Sequence, residues 1–413
     1  MYMSVDKTLP IEADVFHSIA EEYGTPVFVY DEAGIRTNAQ TINQAFSWGS
    51  NHTNFFAVKA TPTPAILRVV ADEGMGFDCS SRPELLMVDQ EDIGGNGVFY
   101  TSNNTPDEDY RLADDIGAVI NVDKAPYVGQ VLRALGRLPQ KMAIRYNPGD
   151  KKSGNDIIGD PIKSKFGDTE EHVLHALHDM RLHGVEEIGL HAMVISNEKD
   201  PESFAGTARL LRELGEKALD RFGVTVSFIN IGGGIGVNYH PDEDPIDVVG
   251  IGEAVRSELG ELGIPILTEN GRYVTGPHGY WLTRVTHGIM ETYAPYLQVD
   301  TSINNVARLA TVKAAYHKID VLGREGDPTR PMNVTGSLCA NTDIFFRDRE
   351  LPVTIQPGDL MVIQDTGAHS RANSHNYNGR LRAGEVLIHP DGTTKLIRRH
   401  ETVEDYFATT EGL

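Results

Sequence analysis

Eight short apolar runs, rich in β-branched or aromatic residues, begin near Phe55, Gly76, Val98, Val119, Met142, Ile188, Ser227 and Ile266, and most are followed by an amphipathic segment of helical period. Alternating strand and helix predicts parallel pairing, and eight such units are the number that closes a (β/α)8 barrel of the TIM type. A doubly wound open sheet is the alternative. Some helix starts carry their own punctuation: Thr63-Pro64 and Thr105-Pro106 put a capping hydroxyl before a proline at the first helical position, and Asp168 precedes the run EEHVLHALHDM. From about Thr275 the pattern changes to β-type runs such as PYLQVD, MNVTGSL and DLMVIQD, separated by Gly, Pro and Asp turns. The expected fold class is therefore α/β: a barrel over residues 31–274, and a β-rich barrel or sandwich domain made of residues 1–30 and 275–413. The early run TPVFVYD lies outside the repeat and is expected to pair with that second domain.

Composition narrows the function classes. With 37 Lys and Arg against 59 Asp and Glu, the 413-residue chain has a net charge of −22, which repels a nucleic-acid backbone or an anionic membrane surface. Met1 to Pro10 lacks the apolar core of a signal peptide, and no stretch reaches the ~18–20 apolar residues needed to span a bilayer, so a cytoplasmic location is expected. Cys79 and Cys339 are too few for a disulfide framework and have no metal-ligand spacing, so no metal site is expected.

In a barrel of this type the C-terminal strand ends carry the chemistry. Here they are polar: FFAVKA ends in Lys59, FDCS holds Asp78, IRYN holds Arg145, the sixth run carries His191, the seventh leads into INIGGGIG, and TENGR holds Glu269 and Arg272. Such a ring suits an anionic cofactor better than a metal. Lys59, behind Phe55, Phe56, Ala57 and Val58, is expected to be partly desolvated, which lowers its pKa and favours the neutral amine needed for a Schiff base; a lysine snorkelling from a strand end is the plainer alternative. Gly232, Gly233, Gly234 and Gly236 offer N–H groups that can approach a phosphate, or form a tight structural turn. They are a poor dinucleotide fingerprint, because its third glycine would fall at Val237 and two prolines follow in NYHPDEDP. Glu269 could pair with a protonated pyridine nitrogen and Arg272 with phosphate, or the two could form a strand-end ion pair.

The ordered set FFAVKA, SKFG, GLHAMVISN, INIGGGIG, TENGR, GSLCANTD and NYNGRLRAGEVL resembles the diaminopimelate and ornithine decarboxylases, fold-type III pyridoxal-phosphate enzymes, with the closer likeness to the diaminopimelate branch. The ending LIRRHETVEDYFATTEG is similar to that of a divergent subgroup. The resemblance implies that Lys59 bonds to pyridoxal 5'-phosphate and that Glu269 keeps the pyridine nitrogen protonated. It implies phosphate contacts from Ser196, Gly232, Gly233, Gly234, Arg272 and Tyr377, and polar neighbours in Asp78 and Arg145. It also implies that Cys339 crosses from a partner subunit, so that a homodimer with shared active sites is expected. Cys79, by contrast, reads as a buried apolar residue. Loss of the α-carboxylate as CO2, followed by protonation of Cα, is the implied reaction.

Departures from the family pattern point to the substrate. Met193 stands where a histidine stacks on the cofactor, and Asn270 and Gly271 fill the middle of the usual Glu-Pro-Gly-Arg. Ala340 replaces the acid that faces the distal ammonium of a diamino substrate. Arg308 is kept while Val312 replaces a tyrosine, and Lys313 falls where ornithine-type enzymes carry an aspartate. These changes imply a substrate ending in a neutral or anionic group, since an unpaired buried ammonium costs on the order of several kcal/mol. Asp343 and His369 are candidate replacement contacts or solvated loop residues. A genuine meso-diaminopimelate decarboxylase, an amino-acid racemase and a non-catalytic homologue are the alternatives.

Overall fold

The strand β1 (Val27–Asp31) precedes the eight repeated units, and its partners come from the C-terminal third of the chain. The computed structural model describes residues 7–49, 51–152, 159–311 and 315–412. They form two compact units, one of Arg36–Gly236 with Ile246–Val274, the other of Met1–Ile35, Val237–Pro245 and Thr275–Leu413.

In the first unit, β2 (Thr53–Ala57), β3 (Gly76–Cys79), β4 (Val98–Ser102), β5 (Val119–Val122), β6 (Lys141–Arg145), β7 (Glu187–His191), β8 (Phe228–Asn230) and β9 (Ile266–Thr268) pair in parallel and in chain order. The barrel closes where Thr53 meets Leu267 and Asn54 meets Thr268, which excludes the open-sheet alternative. Its interior holds a layer made of Phe55, Phe99, Ala143, Phe228 and Leu267, with Val119 packed against it. Four of these come from alternate strands, as layered barrel packing requires. Three phenylalanines fit one layer because their neighbours are small. A Cβ on Gly189 would lie 2.1 Å from the Phe228 ring, and one on Gly76 would lie 2.8 Å from the ring of Phe55.

The helices begin close to the expected places, with different capping. Pro64 is the first residue of the helix Pro64–Asp72, but the Thr63 hydroxyl makes no cap bond to it. The helix Asp107–Asp115 starts one residue later than expected, because Thr105 turns its hydroxyl back to the Ser102 carbonyl. Thr169, not Asp168, is the N-cap of Glu170–Leu182; Asp168 instead accepts from the N–H groups of Ala125 and Thr169.

The second unit is a mixed sheet, ordered β14-β13-β11-β10-β1-β16-β17, in which β15 pairs with β10 and β12. Its later strands are β10 (Gly279–Glu291), β11 (Pro295–Val299), β12 (Ile319–Val321), β13 (Thr329–Thr335), β14 (Ile344–Pro352), β15 (Leu360–Ile363), β16 (Gly384–Ile388) and β17 (Thr394–Arg398). The alternation of β1 puts Val27 and Val29 against Phe16, Ile19 and Leu282 on one face, and stacks Phe28 on Trp281 on the other. The expected pairing of TPVFVYD with this domain is thus observed, through β10 and β16. No helix among the described residues is long and apolar enough to cross a membrane.

The tight fit of Phe228 yields a stability prediction. Gly189→Ala overpacks the layer and is expected to destabilise the barrel by about 1–3 kcal/mol, with Phe228→Leu in the same chain restoring much of the loss. Thermal denaturation followed by circular dichroism checks this; equal melting of the variant and the parent would contradict the layer described.

Candidate active site

The strand alternation that builds the core layer also builds the site. Side chains two residues further along a strand point the same way. Beyond Gly76 comes Asp78, beyond Phe99 Thr101, beyond Ala143 Arg145, beyond Gly189 His191, beyond Phe228 Asn230 and beyond Leu267 Glu269. On β2 that step reaches Ala57, and Lys59 follows on the short 3-10 turn Val58–Ala60. A cavity of about 450 Å³ opens here, and of the expected residues it gathers Lys59, Asp78, Arg145, Met193, Ser196 and Glu269. Ser80, Thr101, Ser102, Asn103 and Phe166 complete its wall with His191.

Lys59 Nζ donates to Asp78 Oδ2 at 3.0 Å. Burial pulls its pKa down, but the carboxylates of Asp78 and Glu269 outweigh that, and the net direction is upward. The expectation of a neutral amine is therefore corrected: among these acids the lysine is held as the ammonium. Asp78 is in turn raised, first by burial and then by Glu269, against the pull of Lys59. Its Oδ1 is buried without a partner among the described residues. Glu269 is buried too, yet it is held below the usual carboxylate range. Burial raises it, while His191, Lys59 and the Asn230 amide lower it further. Its Oε1 accepts from Asn230 Nδ2 at 2.8 Å, and Oε2 lies 3.3 Å from His191 Nε2. A strand-end pair of Glu269 with Arg272 is not what organises this carboxylate.

Arg145 donates from Nη2 to the Met193 carbonyl at 3.1 Å, lies 3.5 Å from an Asp123 carboxylate oxygen, and sits 4.7 Å over the Phe166 ring. Phe166, of the SKFG motif, is thus a platform beneath a half-buried cation.

The turn after β8 fits an anion. Gly232 and Gly234 have φ of 71° and 115°, which glycine alone adopts freely. A Cβ on Gly233 would fall 2.3 Å from the Glu269 carbonyl oxygen, and one on Gly234 would fall 2.8 Å from Ile195. The Gly233 N–H points at the Met193 sulfur at 3.3 Å, a weak acceptor that a phosphate oxygen can replace. A lysine amine, once deprotonated, for an aldehyde, an anionic carboxylate for a pyridine nitrogen and a glycine turn for a phosphate make a set that fits pyridoxal 5'-phosphate. Among the described residues no group of three or more His, Cys, Asp or Glu is placed to hold a metal ion.

Other expected residues lie elsewhere. Arg272 opens the short helix Arg272–Thr275 after β9. Cys79 is buried, and burial pushes its thiol up. Cys339, Ala340, Asp343, Tyr377 and Arg308 belong to the second unit. Cys339 is exposed, and its N–H donates to Asn378 Oδ1 at 2.8 Å; Tyr377 is exposed as well. Asp343 is not a solvated loop residue: it is buried, and it accepts from the N–H groups of Ile303 and Leu338 at 2.8 and 2.7 Å. His369, of positive φ, is half-buried. Arg308 is buried 4.1 Å over the Tyr239 ring and donates to His317 Nε2 at 3.1 Å. Val312 and Lys313 lie outside the described residues.

A family model described as the pyridoxal-binding domain of pyridoxal-dependent decarboxylases matches residues 32–276. Protein TabA of Pseudomonas amygdali pv. tabaci is 34% identical over 392 residues, 94% of this chain and 91% of that protein. A diaminopimelate decarboxylase of Methanothermobacter thermautotrophicus is 35% identical over 401 residues, 94% of this chain and 92% of that one. The diaminopimelate decarboxylase of M. jannaschii in co-complex with L-lysine superposes with a TM-score of 0.89 at 26% identity, covering 99% of this chain and 98% of that one.

The charge balance at Lys59 can be tested directly. Asp78→Asn removes one of the groups that raise the lysine, so more free amine is present at a given pH. The acid limb of pyridoxal-phosphate capture, trapped by borohydride, is expected to move to lower pH, while Lys59→Met abolishes trapping. A limb that stays in place or rises would refute this balance.

Proposed function

Since the chain belongs to the pyridoxal-dependent decarboxylase family and is a pyridoxal-phosphate-dependent amino-acid decarboxylase of the diaminopimelate decarboxylase type, we propose that its substrate ends in a neutral or anionic group rather than in a free ammonium. The observation that carries this reading is the cavity wall. Among its described lining residues the only acids are Asp78 and Glu269, and both are engaged, with Lys59 and with His191 and Asn230. The remaining polar wall is neutral, made of Ser80, Thr101, Ser102, Asn103 and Ser196. Ala340, Val312 and Lys313 in the sequence support the same reading, because none of them offers a carboxylate to an ammonium.

In this reading Lys59 holds the cofactor, Glu269 its ring nitrogen, and Met193 covers one ring face. Ser196, the turn Gly232 to Gly234, Arg272 and Tyr377 hold the phosphate. The bound cofactor supplies an electron sink for the pair left when the α-carboxylate departs. Asp78 and Arg145 set the charge around Lys59, whose Nζ holds a transferable proton. Arg308, Ala340 and Asp343 belong to the substrate side in this proposal. Cys339 of a second copy is assigned the return of a proton to Cα, which requires a homodimer; its exposed thiol supports that assignment. A second reading, meso-diaminopimelate as substrate, is favoured by kinship along nearly the whole chain to diaminopimelate decarboxylases.

CO2 release by the cofactor-loaded protein from meso-diaminopimelate, ornithine, lysine, glutamate and N-acylated diamino acids separates the two. We expect the acidic or acylated substrates to exceed diaminopimelate in kcat/KM by about tenfold or more, the equivalent of roughly 1.4 kcal/mol in the transition state. Faster turnover of diaminopimelate would establish the second reading and overturn the first.

A further inference from the structure

Three hydrogen bonds close a ring between the glycine turn and the carboxylate of the site. Asn230 Oδ1 accepts from the Gly232 N–H at 2.9 Å, the Gly232 carbonyl accepts from the Glu269 N–H at 2.8 Å, and Asn230 Nδ2 donates to Glu269 Oε1 at 2.8 Å. Asn230 has no exposed surface. A backbone N–H can only donate, so the amide oxygen of Asn230 must face Gly232 and its NH2 must face Glu269. The network therefore decides the orientation of the amide, and Glu269 is always offered a donor.

We infer that Asn230 is a positioning residue that joins the anion-binding turn and the acid of the site into one unit, so that phosphate recognition and ring-nitrogen recognition are linked through a single side chain. The inference depends on the reading of this cavity as the cofactor site. The two ends of the link cannot move apart freely. Gly233 has no room for even one extra carbon against the Glu269 carbonyl, 2.3 Å from an added Cβ. Among the described residues, the other oxygen of Glu269 meets only His191 Nε2, at 3.3 Å, and the Nδ1 of that ring is buried without a partner. Oε1 is therefore tied to the turn, while Oε2, with its longer contact, keeps acceptor capacity for a protonated ring. Aspartate at position 230 would keep the bond to Gly232 but set an acceptor against Glu269. Alanine would free both ends.

Calorimetric titration of the apoprotein with pyridoxal 5'-phosphate, pyridoxal and inorganic phosphate tests the link without measuring turnover. Asn230→Ala is expected to weaken pyridoxal and inorganic phosphate separately, and pyridoxal phosphate by about tenfold or more, the scale of a lost hydrogen bond to a charged group. Glu269→Gln is expected to weaken pyridoxal and leave phosphate unchanged. If Asn230→Ala alters only one of the two half-ligands, the link is refuted. Asn230→Asp, nearly isosteric and so a safeguard against misfolding, is expected to bind pyridoxal phosphate with an acid limb at least about one pH unit higher, because a second carboxylate beside Glu269 raises it. An unmoved limb would count against the positioning role. A Glu269→Gln protein that binds pyridoxal as the parent does would instead overturn the reading of the cavity itself.

Discussion

The packing of three phenylalanines into one layer of a closed barrel is the constraint on which the site depends. Phe55, Phe99 and Phe228 fill the interior only because Gly76, Ala143 and Gly189 leave them room. Once those rings point inward, strand alternation leaves no choice for the residues two places on. Asp78, Thr101, Arg145, His191, Asn230 and Glu269 must point inward as well, one step nearer the C-terminal mouth. The apolar layer is thus the floor of the cavity, and a one-residue slip of any of these strands would turn its polar or charged group outward.

On that floor stand more charges than burial alone would tolerate. Desolvation is the largest influence on Lys59, Asp78 and Glu269 alike, and each is kept charged or neutral by the others. Asp78 and Glu269 raise one another's cost, and Lys59 relieves both only in part. Asp78 keeps a buried oxygen without a partner among the described residues. Two acids facing one lysine leave capacity for one more positive group, which a protonated ring nitrogen provides. In the proposed reading the electrostatic tension of the site and its recognition of such a ring have the same origin, with His191 and Asn230 favouring the ionised form of Glu269 over that of Asp78.

Much of this was legible in the sequence, because the strand runs are local signals and their ends are named by the barrel rule. The eight strands, the pairing of TPVFVYD with the C-terminal strands, and the gathering of Lys59, Asp78, Arg145 and Glu269 needed only periodicity and motif order. The protonation of Lys59 was not legible, since the flanking apolar residues speak for desolvation while the opposing acids arrive from β3 and β9. Asp343 looked solvated because nothing local shows that Ile303 and Leu338 will aim two N–H groups at it. Thr105 could equally cap a helix or close a turn on Ser102, and the turn won. Asn230 could have been found: it precedes the glycine run and stands two residues beyond Phe228, the same step that identifies Glu269 beyond Leu267. The order of the mixed sheet, with parallel and antiparallel neighbours side by side, leaves no comparable trace in any one segment.

In the proposed reading, bond-making and specificity are divided between different stretches of the chain. The charged set around Lys59 is built on the barrel strands, each member locked by the core layer beneath it. The departures from the diamino pattern, Ala340, Val312 and Lys313, lie beyond residue 275 in sequence. The described side-chain partners of Glu269 and Lys59, namely His191, Asn230 and Asp78, all come from the barrel strands. Asp78 and Glu269 are engaged within the site, so in the proposed reading a counter-charge for a diamino substrate would have to come from outside the described cavity wall.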